Sequence, residues 1–319
     1  MTPADRLRQL RLPAFAAPMF LVSSPELVIA SSRAGIVGSF PAPNLRTSAE
    51  LGEWMRQIRA GLAEPATTPW PTAPWALNLV THSTSLRLPT DLEQVAEHQP
   101  PIVITALGSP KPVIPTVHGY GGLVFADVIS EDLARKAADA GVDGLVLVCS
   151  GAGGHTGELS PLVFVERVRR FFDGYIALAG AINTGEAMLA AQVLGADFAY
   201  LGTAFIPALE SHASADYRQM LIDCTARDLM VTRAFTGARA SMLVPSMQRM
   251  GLDPAEIEFK VAKFNFTGRQ NEKVKPWTGI WGAGQGVGRV EQAEPAADII
   301  DRLAREYDAA RRRTAELCA

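Results

Sequence analysis

Residues 175–202 read YIALAGAINTGEAMLAAQVLGADFAYLG. The stretch begins with an apolar run, Tyr175–Ala179, continues through a segment of helical character, Gly185–Leu194, and ends in a second apolar run, Phe198–Leu201. Gly195 follows the helical segment, at the position where a left-handed residue commonly ends a helix. Both runs are continuously apolar, which is typical of strands in a parallel sheet that is covered on both faces. The stretch therefore predicts a strand–helix–strand unit with parallel strands.

The same unit recurs along the chain. Six further apolar runs precede it, at residues 14–19, 36–40, 75–80, 102–105, 123–126 and 145–148. Helical segments follow most of the runs, at residues 25–33, 48–61, 91–98, 131–140, 161–172 and 185–194. The signals at the ends of these segments are capping hydroxyls at Ser24, Ser130 and Ser160 and closing glycines at Gly35 and Gly141. Eight such units predict an α/β fold, a closed (β/α)8 TIM barrel, because an open doubly wound sheet usually has fewer strands and a nucleotide fingerprint after the first.

The repeat stops after the eighth run. From Pro207 to Thr267 the chain is rich in methionine and helical in character, with no strand-like run, and a final helix is predicted near residues 296–312. We therefore expect a barrel made of residues 1–206 and 276–319, and a helical insertion, residues 207–275, that covers the barrel mouth. Apolar side chains of this insertion are compatible with a homodimer contact.

Charge and composition exclude several classes of function. The 319 residues include 30 Lys and Arg against 33 Asp and Glu, a net charge of -3, so we expect no nucleic-acid partner. The three cysteines are scattered and the histidines lack metal-binding spacing, which predicts a reducing compartment and no metal site. No leader pattern and no apolar window of membrane-spanning length occurs, so we expect a soluble cytoplasmic protein with no membrane partner.

The carboxyl ends of the strands are where a parallel barrel keeps its functional residues. Gly180 and Ala181 follow the seventh run, and Gly202 and Thr203 follow the eighth. Backbone N–H groups at such glycines can approach phosphate oxygens, and the Thr203 hydroxyl adds a donor. For either glycine alone, the alternative interpretation is that it only permits a tight turn after the strand. Their occurrence at both strand ends favours a phosphate site, which suits a flavin mononucleotide (FMN).

The loop after the sixth run, residues 151–157, reads GAGGHTG. Its glycines, Gly153 and Gly154 among them, allow the backbone to pass close to a flat ligand, and His155 is the one ionisable side chain in the loop. We therefore take His155 as the candidate general base or substrate anchor. The alternative is a hydrogen-bonded loop histidine without a catalytic role.

Three further features carry weaker predictions. His82 follows the third run and is assigned equally to the site and to the surface, while Cys149 is expected to be a packed thiol. The C-terminal segment 282–288, GAGQGVG, lacks the spacing of a dinucleotide fingerprint. In one interpretation, this segment presents Gly284 and Gln285 and closes over a cofactor. In the other, it is a linker into the last helix.

The combination of these motifs resembles the nitronate monooxygenase family, formerly called 2-nitropropane dioxygenases. The motifs that carry the resemblance are Met19, Asn78, Gly153-Gly154-His155-x-Gly157, Ala179-Gly180-Ala181-Ile182, Gly202-Thr203 and Ala283-Gly284-Gln285. The resemblance implies an FMN-dependent oxidoreductase that oxidises alkyl nitronates, such as propionate 3-nitronate, with O2 to a carbonyl compound and nitrite. It also implies that His155 lies beside the flavin and that Met19, Asn78, Gly180, Gly202, Thr203 and Gln285 contact it.

Some positions depart from the family pattern. Val148, Cys149 and Gly151 stand where the family usually has Gln, Gly and Glu, and Ala204 stands where it has Arg. After the fifth run, where small hydroxyl residues are common, this chain has Asp127. These departures leave the substrate open. Two alternatives therefore remain: a flavin-dependent enoyl-acyl-carrier-protein reductase that uses NAD(P)H, and a flavin-binding accessory protein in a biosynthetic pathway.

Overall fold

The computed structural model describes residues 1–65, 68–262 and 277–317. Eight parallel strands close into a barrel in the order β1-β2-β3-β4-β5-β6-β8-β9. Three shorter strands form a separate antiparallel sheet in the order β10-β11-β7. The strands are β1 Ala14–Ala16, β2 Val37–Pro41, β3 Trp75–Val80, β4 Ile102–Ala106, β5 Leu123–Val128, β6 Gly144–Val148, β7 Gly154–His155, β8 Tyr175–Ala179, β9 Phe198–Leu201, β10 Leu229–Thr232 and β11 Ala240–Leu243. All eight predicted runs are barrel strands, so the predicted barrel is confirmed.

Helices cover the outside of the barrel and follow the strands in alternation. They are α1 Pro3–Leu7, α2 Pro25–Arg33, α3 Ser48–Ala63, α4 Leu88–His98, α5 Ile114–Gly119, α6 Glu131–Ala140, α7 Pro161–Arg169, α8 Gly185–Val193, α9 Ala215–Asp223, α10 Val244–Arg249, α11 Pro254–Ile257 and α12 Ala296–Leu317. The hydroxyls of Ser24 and Ser130 accept the N-terminal N–H groups of α2 and α6, as expected. Ser160 precedes α7 but makes no such bond. The short helices α1 and α5 were not predicted.

The interior of the barrel is filled mainly by apolar side chains from alternate strand positions. The ring of Phe15 lies 5.7 Å from that of Phe125 and 5.3 Å from that of Phe198, between ring centroids. A second apolar layer separates the strands from the surrounding helices and includes Leu27, Leu51 and Phe164. Because both faces of each strand are buried, the strands are continuously apolar, which explains why the runs were recognisable.

The segment after β9 is mixed rather than wholly helical. It contains α9, α10 and α11, but also the strands β10 and β11, where no strand was expected. These strands have four residues each, and β11 pairs with β7, in the loop after β6. Such short strands owe their stability to tertiary pairing, which local periodicity does not show. The pairing brings the insertion onto the carboxyl end of the barrel, while the predicted boundary at residues 275 and 276 lies outside the described residues.

The outer helices α8 and α12 approach each other closely where α8 begins. A Cβ on Gly185 would overlap the backbone nitrogen of Tyr307 and lie 2.5 Å from the carbonyl carbon of Glu306, both in α12. We expect Gly185→Ala to destabilise the fold by about 1–3 kcal/mol, because α12 must move away. Gly119→Ala is the matched control: a Cβ there meets nothing within 4 Å, and alanine should stabilise α5 by about 0.5–1 kcal/mol. Urea unfolding of both variants checks this; equal midpoints would contradict it.

Candidate functional site

Three separate chain segments meet at the carboxyl ends of β6 and β8. The N–H of Gln285 donates to the carbonyl oxygen of Gly151 at 2.9 Å. A Cβ on Gly151 would lie 3.2 Å from the Cβ of Ala181, in the loop after β8. A Cβ on Gly153 would lie 2.6 Å from the backbone nitrogen of Gly284. The loop after β6, the loop after β8 and the C-terminal glycine-rich segment are therefore packed backbone against backbone.

The end of β9 joins the same assembly. The hydroxyl of Thr203 accepts the N–H of Gly284 at 2.9 Å. Gly202 precedes Thr203, and a Cβ there would meet nothing closer than Ala17 Cβ and Met19 Sδ, both at 3.9 Å. Met19 itself follows β1, and its N–H donates to the Ser23 hydroxyl at 2.9 Å. The space beside Gly202 is open, in contrast with the packed glycines of the neighbouring loops.

The loop after β8 has a backbone that few residues adopt. Gly180 has φ of 137°, and a Cβ there would lie 2.8 Å from the carbonyl oxygen of Ser150. Ala181 has φ of 56°, in the left-handed region that is uncommon for a residue with a side chain. Strain of this kind persists where surrounding contacts impose it and is frequent at functional sites. One such contact is the hydrogen bond that the N–H of Ala181 donates to the carbonyl oxygen of Gly151 at 3.3 Å.

His155 is held by the insertion rather than by the barrel. It pairs with Ala240 in β11, and its Nε2 lies 3.1 Å from the hydroxyl oxygen of Thr236. The Thr236 hydroxyl donates its proton to the carbonyl oxygen of Ala238 at 3.3 Å, so it accepts from His155. This hydrogen-bond network assigns the proton of neutral His155 to Nε2, and Nδ1 makes no hydrogen bond with the residues that the structure describes.

The surroundings of the imidazole favour its neutral form. Burial lowers the pKa of His155 to about 4. The ring of Trp277 lies edge-on to it, with 5.5 Å between centroids. At neutral pH His155 is thus an uncharged base with one ring nitrogen already engaged by Thr236.

A polar cluster lies in the barrel interior near the same end. Asn78 and Asp127 follow the inward-facing Ala76 and Phe125 by two residues, so they point into the barrel as well. The Asn78 amide nitrogen in β3 lies 3.4 Å from Asp127 Oδ2 in β5, so the contact spans the intervening strand β4. Asp127 Oδ1 and the Tyr200 hydroxyl are buried with no hydrogen-bond partner among the described residues. Burial raises the pKa of Asp127 to about 7.

This raised pKa makes the stability of the ligand-free chain depend on pH. The Asp127 carboxyl ionises near pH 3.8 when unfolded, so between there and about pH 7 the folded chain holds a proton that the unfolded chain lacks. Stability should therefore be full below this window and fall by up to about 4 kcal/mol across it. We expect Asp127→Asn to remove this fall in urea unfolding between about pH 4 and about pH 8. Asp173→Asn, which alters an exposed carboxyl, should keep it; identical curves for both variants would contradict this assignment.

Comparison with known proteins decides the family. A model of a family described as nitronate monooxygenase matches residues 3–306 of this chain. The chain belongs to the nitronate monooxygenase family. The predicted family is therefore confirmed.

Members of the nitronate monooxygenase family from distant organisms are similar to this chain. The nitronate monooxygenase of Paraburkholderia phytofirmans is 30% identical over 234 residues, which cover 68% of this chain and 64% of that protein. The nitronate monooxygenase of Neurospora crassa is 26% identical over 339 residues, covering 91% of this chain and 88% of that one. The alignment with the bacterial enzyme thus leaves over a third of its length unmatched.

A solved structure shows the same fold. The nitroalkane oxidase of Streptomyces ansochromogenes superposes with a TM-score of 0.83 and 24% sequence identity, over 97% of this chain and 99% of that one. At this identity the likeness concerns the architecture, which is the closed barrel with its outer helices.

The structure shows what surrounds the residues that depart from the nitronate monooxygenase pattern. Cys149 is fully buried, and burial raises the pKa of its thiol to about 12, which agrees with a packed thiol rather than a nucleophile. Ala204 is buried against the apolar core, so the family arginine would not fit its surroundings unchanged. His82 hydrogen-bonds the Thr84 hydroxyl at 2.7 Å in the loop after β3, and its assignment to the site stays a prediction.

Three residues near the site were missed as candidates: Asp127, Tyr200 and Thr236. A carboxyl in an otherwise apolar strand was the available signal for Asp127, since buried charges are rare without a purpose. Thr236 had none, because its contact with His155 spans 81 residues. In the described ranges no three His, Cys, Asp or Glu side chains are grouped to hold a metal, and no helix is long and apolar enough to cross a membrane.

Proposed function

We propose that this chain is an FMN-dependent enzyme that oxidises alkyl nitronates with O2 to a carbonyl compound and nitrite. The observation that carries the proposal is His155, an uncharged imidazole whose Nδ1 makes no hydrogen bond with the described residues, held beside the converging strand-end loops in a member of the nitronate monooxygenase family. An imidazole in this state can accept a proton from a bound substrate.

The residues at the strand ends fit a flavin. The open space at Gly202 suits a phosphate group, and the Gly180 turn, with φ of 137°, adjoins it. The buried Asp127 Oδ1 and Tyr200 hydroxyl have no hydrogen-bond partner among the described residues, and a polar ligand edge could supply one. The residues that would hold FMN are Met19, Asn78, Gly153, Gly154, Gly180, Ala181, Gly202, Thr203, Gly284 and Gln285. When bound, the flavin would supply the electron-accepting chemistry and the reaction with O2.

His155 would act first as a base and then as an anchor. Its Nδ1 takes the proton from the carbon next to the nitro group of a neutral nitroalkane, since Nε2–H is engaged with Thr236. The imidazolium that results would pair with the negative nitronate oxygens. Thr236 keeps the ring oriented throughout. For a nitronate supplied as the anion, the proton transfer is not needed, so His155 would serve as the anchor only.

The experiment that tests the function is anaerobic mixing of the purified flavin-loaded chain with a small nitronate, and separately with NADH and NADPH. We expect the flavin absorbance to bleach with the nitronate alone and nitrite to appear when air is admitted. Bleaching only with a nicotinamide would overturn the proposal in favour of the enoyl reductase alternative. A chain that takes up no FMN would overturn the cofactor as well. Cytoplasmic location and homodimer formation stay predictions from the sequence.

A further inference from the structure

Asp127 is the one carboxyl among the side chains of the eight barrel strands. The strands carry no Lys, Arg or His, and their other titratable groups are the phenols of Tyr175 and Tyr200. Tyr175 begins β8, at the opposite end of the barrel, whereas Tyr200 interacts electrostatically with Asp127. Within the barrel strands, the carboxyl therefore has a phenol and an amide as neighbours and no cation to balance its charge.

The position of Asp127 places it at the site. It is the next to last residue of β5, and the Asn78 amide, a predicted flavin contact, reaches it from β3. The residue is partly accessible to solvent, while Oδ1 is enclosed without a partner among the described residues. Because the residue is not fully enclosed, its carboxyl can exchange a proton with solvent.

A carboxyl in this setting responds strongly to added charge. Burial disfavours the ionised form of Asp127 and raises its pKa to about 7. A negative charge placed close to it disfavours the carboxylate further. Negative charge that a bound ligand gains next to the carboxyl therefore favours the protonated form of Asp127.

We propose that Asp127 takes up a proton from solvent when the flavin held at the strand ends gains negative charge on reduction. The inference rests on the proposed function, because the substrate supplies the electrons that the flavin accepts. The proton forms an O–H bond on the Asp127 carboxylate, so the negative charge of the site is partly offset. Asp127 would thereby couple electron transfer to proton uptake, while Asn78 keeps the carboxyl oriented.

Infrared difference spectroscopy of the FMN-loaded chain, reduced electrochemically at several pH values above about 7, tests this directly. We expect the carbonyl stretch of a protonated carboxyl to appear on reduction in the native chain. The band should be absent in Asp127→Asn and retained in Tyr200→Phe, which removes the other unpartnered group of the cluster. The midpoint potential should also depend less steeply on pH in Asp127→Asn than in the other two.

The outcomes separate this inference from the function. If FMN binds and no carboxyl band forms, or the band persists in Asp127→Asn, the inference fails while the function stands. A chain that binds no FMN overturns both. Should Asp127→Asn not retain the flavin, carbon-13 labelling of aspartate in the native chain decides, because a band that does not shift cannot come from Asp127.

Discussion

His155→Ala should lower turnover of a neutral nitroalkane by about 100- to 10,000-fold, the usual loss for a positioned proton-transfer group. The variant should keep its FMN, since His155 is held by the insertion and not by the loops that would hold the phosphate. Steady-state kinetics measure the loss of turnover, and the flavin absorbance of the purified variant measures whether FMN is retained.

A comparison of the neutral nitroalkane with the nitronate anion separates the role of His155 as a base from its role as an anchor. With the nitronate anion in place of the nitroalkane, the proton transfer is no longer required, so the loss in His155→Ala should be much smaller. Thr236→Val removes the acceptor of the Nε2 proton and should lower nitroalkane turnover less than His155→Ala does, without loss of FMN. Equal losses on both substrate forms would show that His155 is an anchor only, and unchanged turnover would remove it from the mechanism.

Gly202→Asp should weaken FMN binding by on the order of a thousandfold, because a carboxylate about 4 Å from a phosphate costs about 4 kcal/mol at an intermediate dielectric constant. Gly202 suits this test better than Gly180. It has φ of -100°, which any residue adopts, and its Cβ would meet nothing closer than 3.9 Å. The variant should therefore fold, and fluorescence titration with FMN measures the effect.

Gly202→Asn is the matched control, since it has the same size and shape as aspartate and no charge. It should bind FMN considerably more tightly than Gly202→Asp. If the two variants bind alike, crowding and not charge is responsible, and the phosphate does not lie beside Gly202. If both bind as the native chain does, the phosphate site is elsewhere.

Particular elements show which structural features can be predicted from local sequence patterns. The run Tyr175–Ala179 and the run Phe198–Leu201 became β8 and β9 with the predicted bounds, and Gly195 has φ of 109° after α8. These features depend on residues that are neighbours in sequence. The strands of the insertion were not predicted, for the opposite reason. One of the two strands that pair with β11 is β7, Gly154–His155, which is far away along the chain.

The sequence by itself determined the closed barrel, the strand ends at which a site would lie, and the family, since continuous apolar runs, caps and glycine motifs are local signals. Only the tertiary structure decided that Thr236 fixes the proton of His155 and that Asn78, Asp127 and Tyr200 share one buried cluster. These contacts join side chains from strands and loops distant in sequence. Their partners depend on how the barrel closes and on which groups burial removes from water.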